Sequence, residues 1–399
     1  MSLDPRQGRL AILSFAIGAF AIGTSEFAAM GLLPYYANDL GVTDPVAGHA
    51  ISAYAIGVVI GAPVLAVMGA KLPRKSFLMM LMAGFVAAHV LGALAPNINA
   101  LIAARFLAGL PHGAFLGVAM LTVADMMPKG KRAAGVAKVL LGLTIANVVG
   151  VPSAGALGQA IGWRSLFVIV ALIALASVVM MGRFAPKVAV AEGASPLREL
   201  GALKNRAVWL TLLVGAVGFG GVFAVYSYLS AAMIDAANAP AWAIPLALST
   251  FGIGCTLGNI YAGRLASWSQ FGATLILLVG MIVSSVFYAL VMGNWPLMAL
   301  GIFVLGTTAG LVIPLQMRLM DVAGDAQTLA AALNHAAFNF ANALGPFLAG
   351  IALSAGYGWS ATGWVGAALS VGGIVVLAVA WAEANRKPRG PGVDPIPAE

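Results

Sequence analysis

Residues Leu10 to Leu33 read LAILSFAIGAFAIGTSEFAAMGLL, an apolar run long enough to cross a bilayer and broken by a single carboxylate, Glu26. A span of the hydrocarbon core needs about 20 apolar residues. Over the whole chain of 399 residues, 61% are hydrophobic and 9% charged, and the mean hydropathy is +0.98. Soluble domains carry about 25% charged residues, so the composition describes an integral membrane protein. The opening MSLDPRQGR followed by an apolar run looks like a secretory leader. The run is nevertheless too long and reaches Pro34-Tyr35-Tyr36 with no small-residue cleavage site, so it reads as a retained first span. Cys255 is the only cysteine, which excludes an intramolecular disulfide.

Apolar segments of spanning length fall at about 10–34, 47–70, 76–95, 100–124, 133–161, 164–185, 207–234, 241–266, 272–293, 296–318, 327–355 and 359–383. The fold class expected is all-α and membrane-embedded, with twelve helices. With residue 1 in the cytoplasm, every basic residue except Arg105 and Arg164 falls on the inside, and Asp39, Asp44 and Asp235 fall outside. The positive-inside rule therefore places both termini in the cytoplasm. The net charge of +8 is a topology signal and not a nucleic-acid footprint.

The longest hydrophilic connection runs from Pro186 to Arg206 and divides the chain into an N half, 1–185, and a C half, 207–399, with a short cytoplasmic tail. The halves echo each other. ANVVGVPSAGALGQAIGW (Ala146 to Trp163) matches ANALGPFLAGIALSAGYGW (Ala341 to Trp359) at an offset of 195 to 196 residues, and IGVVIG (Ile56 to Gly61) matches IGCTLG (Ile253 to Gly258) at 197. Two related six-helix halves in parallel repeat describe a secondary transporter with a binding site near the midplane between them.

Four segments carry a family resemblance over nearly the whole chain: GTSEFAAMGLLP (Gly23 to Pro34), LIAARFLAGLPHGAF (Leu101 to Phe115), GLTIANVVGVPSAGALG (Gly142 to Gly158) and FNFANALG (Phe338 to Gly345). They resemble the major facilitator superfamily, and within it the drug:proton antiporters and the arabinose-exporter-like sugar-efflux branch. The resemblance implies export from the inner membrane of a bacterium by a functional monomer, with protons and a sugar-like or amphipathic drug-like molecule as partners. GAKLPRK (Gly69 to Lys75) departs from the family pattern, with Ala70 where an Asp is usual. Lys71, Arg74 and Lys75, with Arg264 in the matching loop, remain as a basic gate on the inside.

An acid at membrane depth costs a few kcal/mol and marks function by default. Glu26 lies 8 residues before Pro34, and Arg105 lies about 5 residues inside the outer end of its span. At 1.5 Å per residue these depths are about 12 Å and about 8 Å, so the two are compatible. A nearby opposite charge favours ionised Glu26 and desolvation favours the neutral acid, which suits a proton-coupling group. A structural ion pair or a substrate-orienting carboxylate is the alternative. Arg105, Gly109 and His112 share a helix face, and His112 is either a proton relay or interhelical glue.

On the eleventh span, His335, Phe338, Asn339 and Asn342 share a face, and Asn147 is the repeat mate of Asn342. Such amides line a cavity for a hydroxylated substrate or merely hold helices together. Met30 and the aromatic face of Phe219, Phe223 and Tyr226 suit an apolar ring or simple packing. Gly142, Gly150, Pro152, Gly155 and Gly158 make the fifth span smooth and bendable, for gating or for close packing.

No phosphate-cradling Gly-rich loop, no metal-ligand cluster and no nucleophilic constellation is present in the sequence, so no cofactor, no metal and no enzyme activity are expected. No nucleic-acid partner is expected either. The expected function is proton-coupled export by alternating access. The alternatives are a facilitator or proton symporter on the same fold, and a membrane-embedded enzyme or sensor, against which the missing catalytic cluster counts.

Overall fold

A computed structural model describes residues 5–69, 72–127, 132–186, 204–323 and 327–386. It is all-helical among these residues, with twelve helices long and apolar enough to cross a membrane: α1 Arg6–Gly31, α2 Asp44–Leu65, α3 Arg74–Ala93, α4 Ile98–Met126, α5 Lys138–Ile161, α6 Arg164–Phe184, α7 Arg206–Asp235, α8 Ala243–Trp268, α9 Gln270–Leu290, α10 Trp295–Val322, α11 Leu333–Ser354 and α12 Ala361–Asn385. Most of the expected loop Pro186 to Arg206 lies outside the described residues. The bundle end bearing residues 5, 186 and 204 is here the linker end, and the opposite end is the far end.

The two halves repeat one packing pattern. In the N half α2 packs on α4, α1 on α5 and α6, and α3 on α4 and α6; in the C half α8 packs on α10, α7 on α11 and α12, and α9 on α12. Lipid supplies no hydrophobic drive between helices, so close approach must come from small residues. Gly57 and Gly61 of α2 lie directly on the carbonyls of Phe106 and Leu110, leaving no room for a Cβ. Gly254 and Gly258 of α8, 197 residues on, lie in the same way on Phe303 and Thr307. Across the seam α2 meets α11 and α5 meets α8, an exchange that the internal repeat relates to itself.

Several spans depart from straight helix. The helix of α1 ends at Gly31 and resumes as Leu33–Asp39 with Pro34 in its first turn. Span α7 consists of Arg206–Gly218, Gly220–Tyr226 and Leu229–Asp235, its last piece standing 196 residues after Leu33–Asp39. In α5 a π-helical turn, Ala146–Gly150, precedes Pro152. Proline has no N–H to give the preceding turn, and π turns concentrate at functional places. In α10 a 3-10 turn occupies Thr308–Leu311.

The seam is clasped from mid-membrane to the far end. Ser52 Oγ donates to the Ala343 carbonyl at 3.1 Å, Leu248 of α8 fits against Gly31 and Gly155, and Gly252 lies on the backbone of Asn147. Toward the linker end the corresponding clasps stay within a half. Arg74 Nη1 pairs with Asp125 Oδ2 at 2.5 Å and Lys75 Nζ donates to the Gly182 carbonyl at 2.7 Å. In the C half Gln270 Nε2 donates to Asp321 Oδ2 at 2.6 Å, and Arg206 Nε pairs with Glu383 Oε2 at 3.0 Å.

Candidate functional site

Glu26 and Arg105 interact electrostatically, but the alternative of a direct ion pair between them is not formed. Arg105 Nη1 donates instead to the neighbouring residue, at 3.0 Å to Ser25 Oγ and 3.4 Å to the Ser25 carbonyl. Its guanidinium lies 4.1 Å over the ring of Tyr54 on α2, a cation–π contact that gains strength when desolvated. Nε and Nη2 of Arg105 are buried without a hydrogen-bond partner, so the cation is only partly satisfied. Both side chains are buried, Arg105 with 1% of its surface exposed and Glu26 with 8%.

The shared face of Arg105, Gly109 and His112 is directed at Tyr54. Gly109 lies on the Tyr54 carbonyl, and the Tyr54 hydroxyl is 3.1 Å from His112 Nδ1. His112 is thus tied to an aromatic hydroxyl of the same half. His335 of α11 stands near enough to interact with it electrostatically.

Glu26 makes its hydrogen bond across the seam. Asn342 Nδ2 on α11 donates to Glu26 Oε1 at 2.9 Å, while Asn342 Oδ1 is buried with no partner. Beside it, Phe27 reaches three aromatic rings of the C half, with centroids 6.2 Å to Phe223, 5.8 Å to Tyr226 and 6.4 Å to Phe251. Tyr226 lies tilted against Phe251, with ring centroids 4.2 Å apart. Met30, fully buried, accepts at its sulfur from Ser227 Oγ at 3.6 Å, again across the seam. An acid, an amide and an aromatic wall therefore meet where the halves join.

Other expected site residues are placed elsewhere. Of the expected aromatic face, Tyr226 turns to Phe27 and Phe251, whereas Phe219 packs against Phe223 at 5.5 Å and Phe338 at 4.6 Å inside the C half. A polar role for the α11 face is also divided, because Asn339 Nδ2 donates back to the His335 carbonyl at 3.0 Å. Asn147 sits in the π turn, with its Oδ1 buried and unpaired. Gly142, Gly150 and Gly158 pack on α1 and its extension, within the N half; Gly155 faces Leu248 of the C half, and Pro152 is buried between them in sequence. Arg264 is exposed, Arg74 and Lys75 bond within the N half, and Lys71 lies outside the described residues. Among the described residues no His, Cys, Asp and Glu group of three or more is gathered for a metal.

Ser25, Phe27, Tyr54, Ser227 and Phe251 were not singled out from the sequence, nor was His89, whose Nε2 lies 2.6 Å from Ser25 Oγ. Ser25 directly precedes Glu26 in the quoted run, and His89 is a lone polar residue inside an apolar span, which is the signal that marks both.

Comparisons with known proteins agree with this architecture. A family model described as Major Facilitator Superfamily matches residues 15–268 and again residues 232–398. The chain is 39% identical over 372 residues to the inner membrane transport protein YdhP of Escherichia coli K12, covering 92% of this chain and 94% of that one. It is 35% identical to a chloramphenicol resistance protein of Streptomyces lividans, over 86% of this chain and 89% of the relative. The crystal structure of the human organic anion transporter MFSD10 superposes with a TM-score of 0.66 at 17% identity, covering 94% of this chain and all of that one.

Proposed function

The chain belongs to the major facilitator superfamily, and from that premise we propose that it exports a small amphipathic, ring-bearing molecule in exchange for protons, with Glu26 carrying the proton. The family is one of membrane transporters acting on small molecules and not of enzymes. The observation that carries the finer reading is the hydrogen bond from Asn342 to Glu26. It puts a titratable group on the one surface that must part and re-form as the halves rock.

A hydrogen bond to an ionised carboxylate is roughly twice as strong as a neutral one. Protonation of Glu26 therefore loosens its hold on Asn342, and equally on any polar or cationic part of a substrate that replaces Asn342. In the proposed cycle, the seam opens at the far end, a proton from that side neutralises Glu26 and the substrate leaves. When the site faces the linker end again, the proton departs and the ionised acid receives the next substrate.

Phe27, Phe223, Tyr226 and Phe251 supply the apolar wall for a ring, and Asn342 and Glu26 the few polar anchors that a pocket needs. The relative named for chloramphenicol resistance supports the same class. The gathering of Lys and Arg at the linker end supports a cytoplasmic position for that end, and the relative named as an inner membrane protein supports a bacterial inner membrane.

Inverted membrane vesicles with a respiration-acidified interior and a pH-sensitive dye test this directly, with sugars, nucleosides and amphipathic drugs added singly. The expected result is a compound that discharges the gradient in the wild type and not in Glu26→Gln. Equal passage of substrate in both, without proton movement, would make the protein a facilitator in which Glu26 is structural or a ligand only.

A further inference from the structure

We propose that His89 is a positioning residue for Arg105, acting through the hydroxyl of Ser25. The inference rests on the transport role proposed for Glu26 and Arg105. His89 Nδ1 stands 2.8 Å from the Phe85 carbonyl, which can only accept, so Nδ1 carries the hydrogen. Its Nε2 stands 2.6 Å from Ser25 Oγ. Arg105 Nη1, 3.0 Å from the same Ser25 oxygen, can only donate.

One arrangement satisfies all three contacts. Ser25 gives its hydrogen to the neutral imidazole and turns a lone pair to Arg105. Removing the acceptor at Nε2 frees the hydroxyl to rotate, and a hydroxyl hydrogen pointed at the guanidinium repels it. His89 is thus what fixes the direction of the Ser25 oxygen, and through it the seat of Arg105 one residue from Glu26.

Two further observations separate this from ordinary packing. His89 is 1% exposed and enclosed by Phe85 and Phe167, at 4.1 Å and 6.0 Å between ring centroids, on a span that packs on α4 and α6 of its own half. It therefore acts on Arg105 from behind, away from the seam. The repeat also shows that the fold does not require the chain of contacts. Positions 196 or 197 residues after Ser25, His89 and Arg105 hold Gly221 or Val222, Ser285 or Val286, and Gly301 or Ile302. The C half folds in the same pattern with none of the three.

The test compares His89→Asn, His89→Gln, Ser25→Ala and the double variant Ser25→Ala/His89→Asn. Asparagine keeps a donor near Nδ1 for the Phe85 carbonyl but loses the acceptor toward Ser25, whereas the Gln amide oxygen reaches the place of Nε2. Substrate-driven proton flux is measured in inverted vesicles as a function of pH, with the melting temperature of each purified protein. The expected outcome is a loss of about tenfold in His89→Asn, of the size of one lost hydrogen bond to a charged group. His89→Gln should stay within about twofold of wild type, and the double variant should be no worse than Ser25→Ala, the non-additivity expected of residues in one network. Losses that multiply in the double variant, or equal losses in His89→Asn and His89→Gln, would overturn the proposal. Where Glu26→Gln leaves proton exchange intact, the coupling reading falls by itself. The melting-temperature cycle of His89→Asn with Arg105→Lys then decides: non-additive shifts support positioning, and additive shifts overturn it.

Discussion

The two halves share a frame and divide the chemistry. Both use glycine-lined contacts, α2 on α4 and α8 on α10, and both break the helix before a short far-end piece, Leu33–Asp39 and Leu229–Asp235. In the buried middle of the N half stand Glu26, Arg105, His89 and His112. The residues 196 positions on are Val222, Gly301, Ser285 and Thr308. In their place the C half presents amides, His335 and a wall of Phe223, Tyr226 and Phe251. An ionisable group inside the membrane costs a few kcal/mol wherever it is put, which marks the N-half group as a candidate for function. On the proposed reading, the charged groups belong to the N half and most of the ring wall to the C half, and the two sets meet where Asn342 bonds Glu26 and Phe27 reaches the C-half rings.

This division can be broken most severely at Arg105. Arg105→Lys keeps a charge but loses the planar fork that spans Ser25 and the Tyr54 ring. Transport should fall about a hundredfold, corresponding to about 3 kcal/mol for a buried charged hydrogen-bond donor, as measured by substrate flux in vesicles at matched expression. Next comes the seam itself. Asn342→Ala should reduce flux about tenfold, whereas its repeat mate Asn147→Ala, which makes no bond to an ionisable group, should cost about twofold or less. Equal effects at the two amides would erase the asymmetry.

The aromatic wall should respond differently. Tyr226→Ala and Phe251→Ala each remove a ring contact worth about 0.5–1.5 kcal/mol. They should raise the substrate concentration for half-maximal flux about three- to tenfold and leave the protons exchanged per substrate unchanged, which parallel substrate and proton measurements will show. A coupling ratio that moves with these rings would place charge handling in the C half as well.

Smaller effects are expected at the bundle ends. The N-half clasp Arg74–Asp125 has as its repeat mate the uncharged donor Gln270 on Asp321, 196 residues on. Arg74→Gln makes the halves alike there, and since surface pairs are worth about 0–1 kcal/mol, flux should change by no more than about threefold. At the far end, hydrogen bonds from Arg164 and Trp163 hold the Asp39 carboxyl below the usual aspartate range. A group so depressed adds stability above its ordinary titration and loses it as pH falls through the lower, folded value. The melting temperature of the purified protein should therefore lose a small increment on acidification, and Asp39→Asn should abolish that increment.

Most of this frame was legible from the sequence because a bilayer demands contiguous apolar runs. Twelve spans follow from that demand, and the repeat follows from matching segments 195 to 197 residues apart. Glu26, Arg105 and Asn342 were also legible, since polar residues at membrane depth stand out against apolar neighbours. Their partners were not. Arg105 chooses Ser25 over Glu26, and Phe27 finds Phe251 on another half, through crossings of helices that no spacing along one chain encodes. The π turn at Asn147 and the breaks at Phe219 and Tyr228 were likewise hidden, because mean hydropathy is blind to backbone geometry. Gly142 and Gly158 illustrate the same limit: spacing shows a smooth face, and only packing shows that it lies on α1.

In the proposed cycle one carboxylate at the seam binds either a proton or the substrate. Purified protein in weakly buffered detergent solution, with a pH dye, measures this without any membrane gradient. Adding the substrate identified in vesicles should release protons from the wild type and none from Glu26→Gln. Substrate binding of similar affinity with no proton release from the wild type, or with equal release from both proteins, would contradict the account.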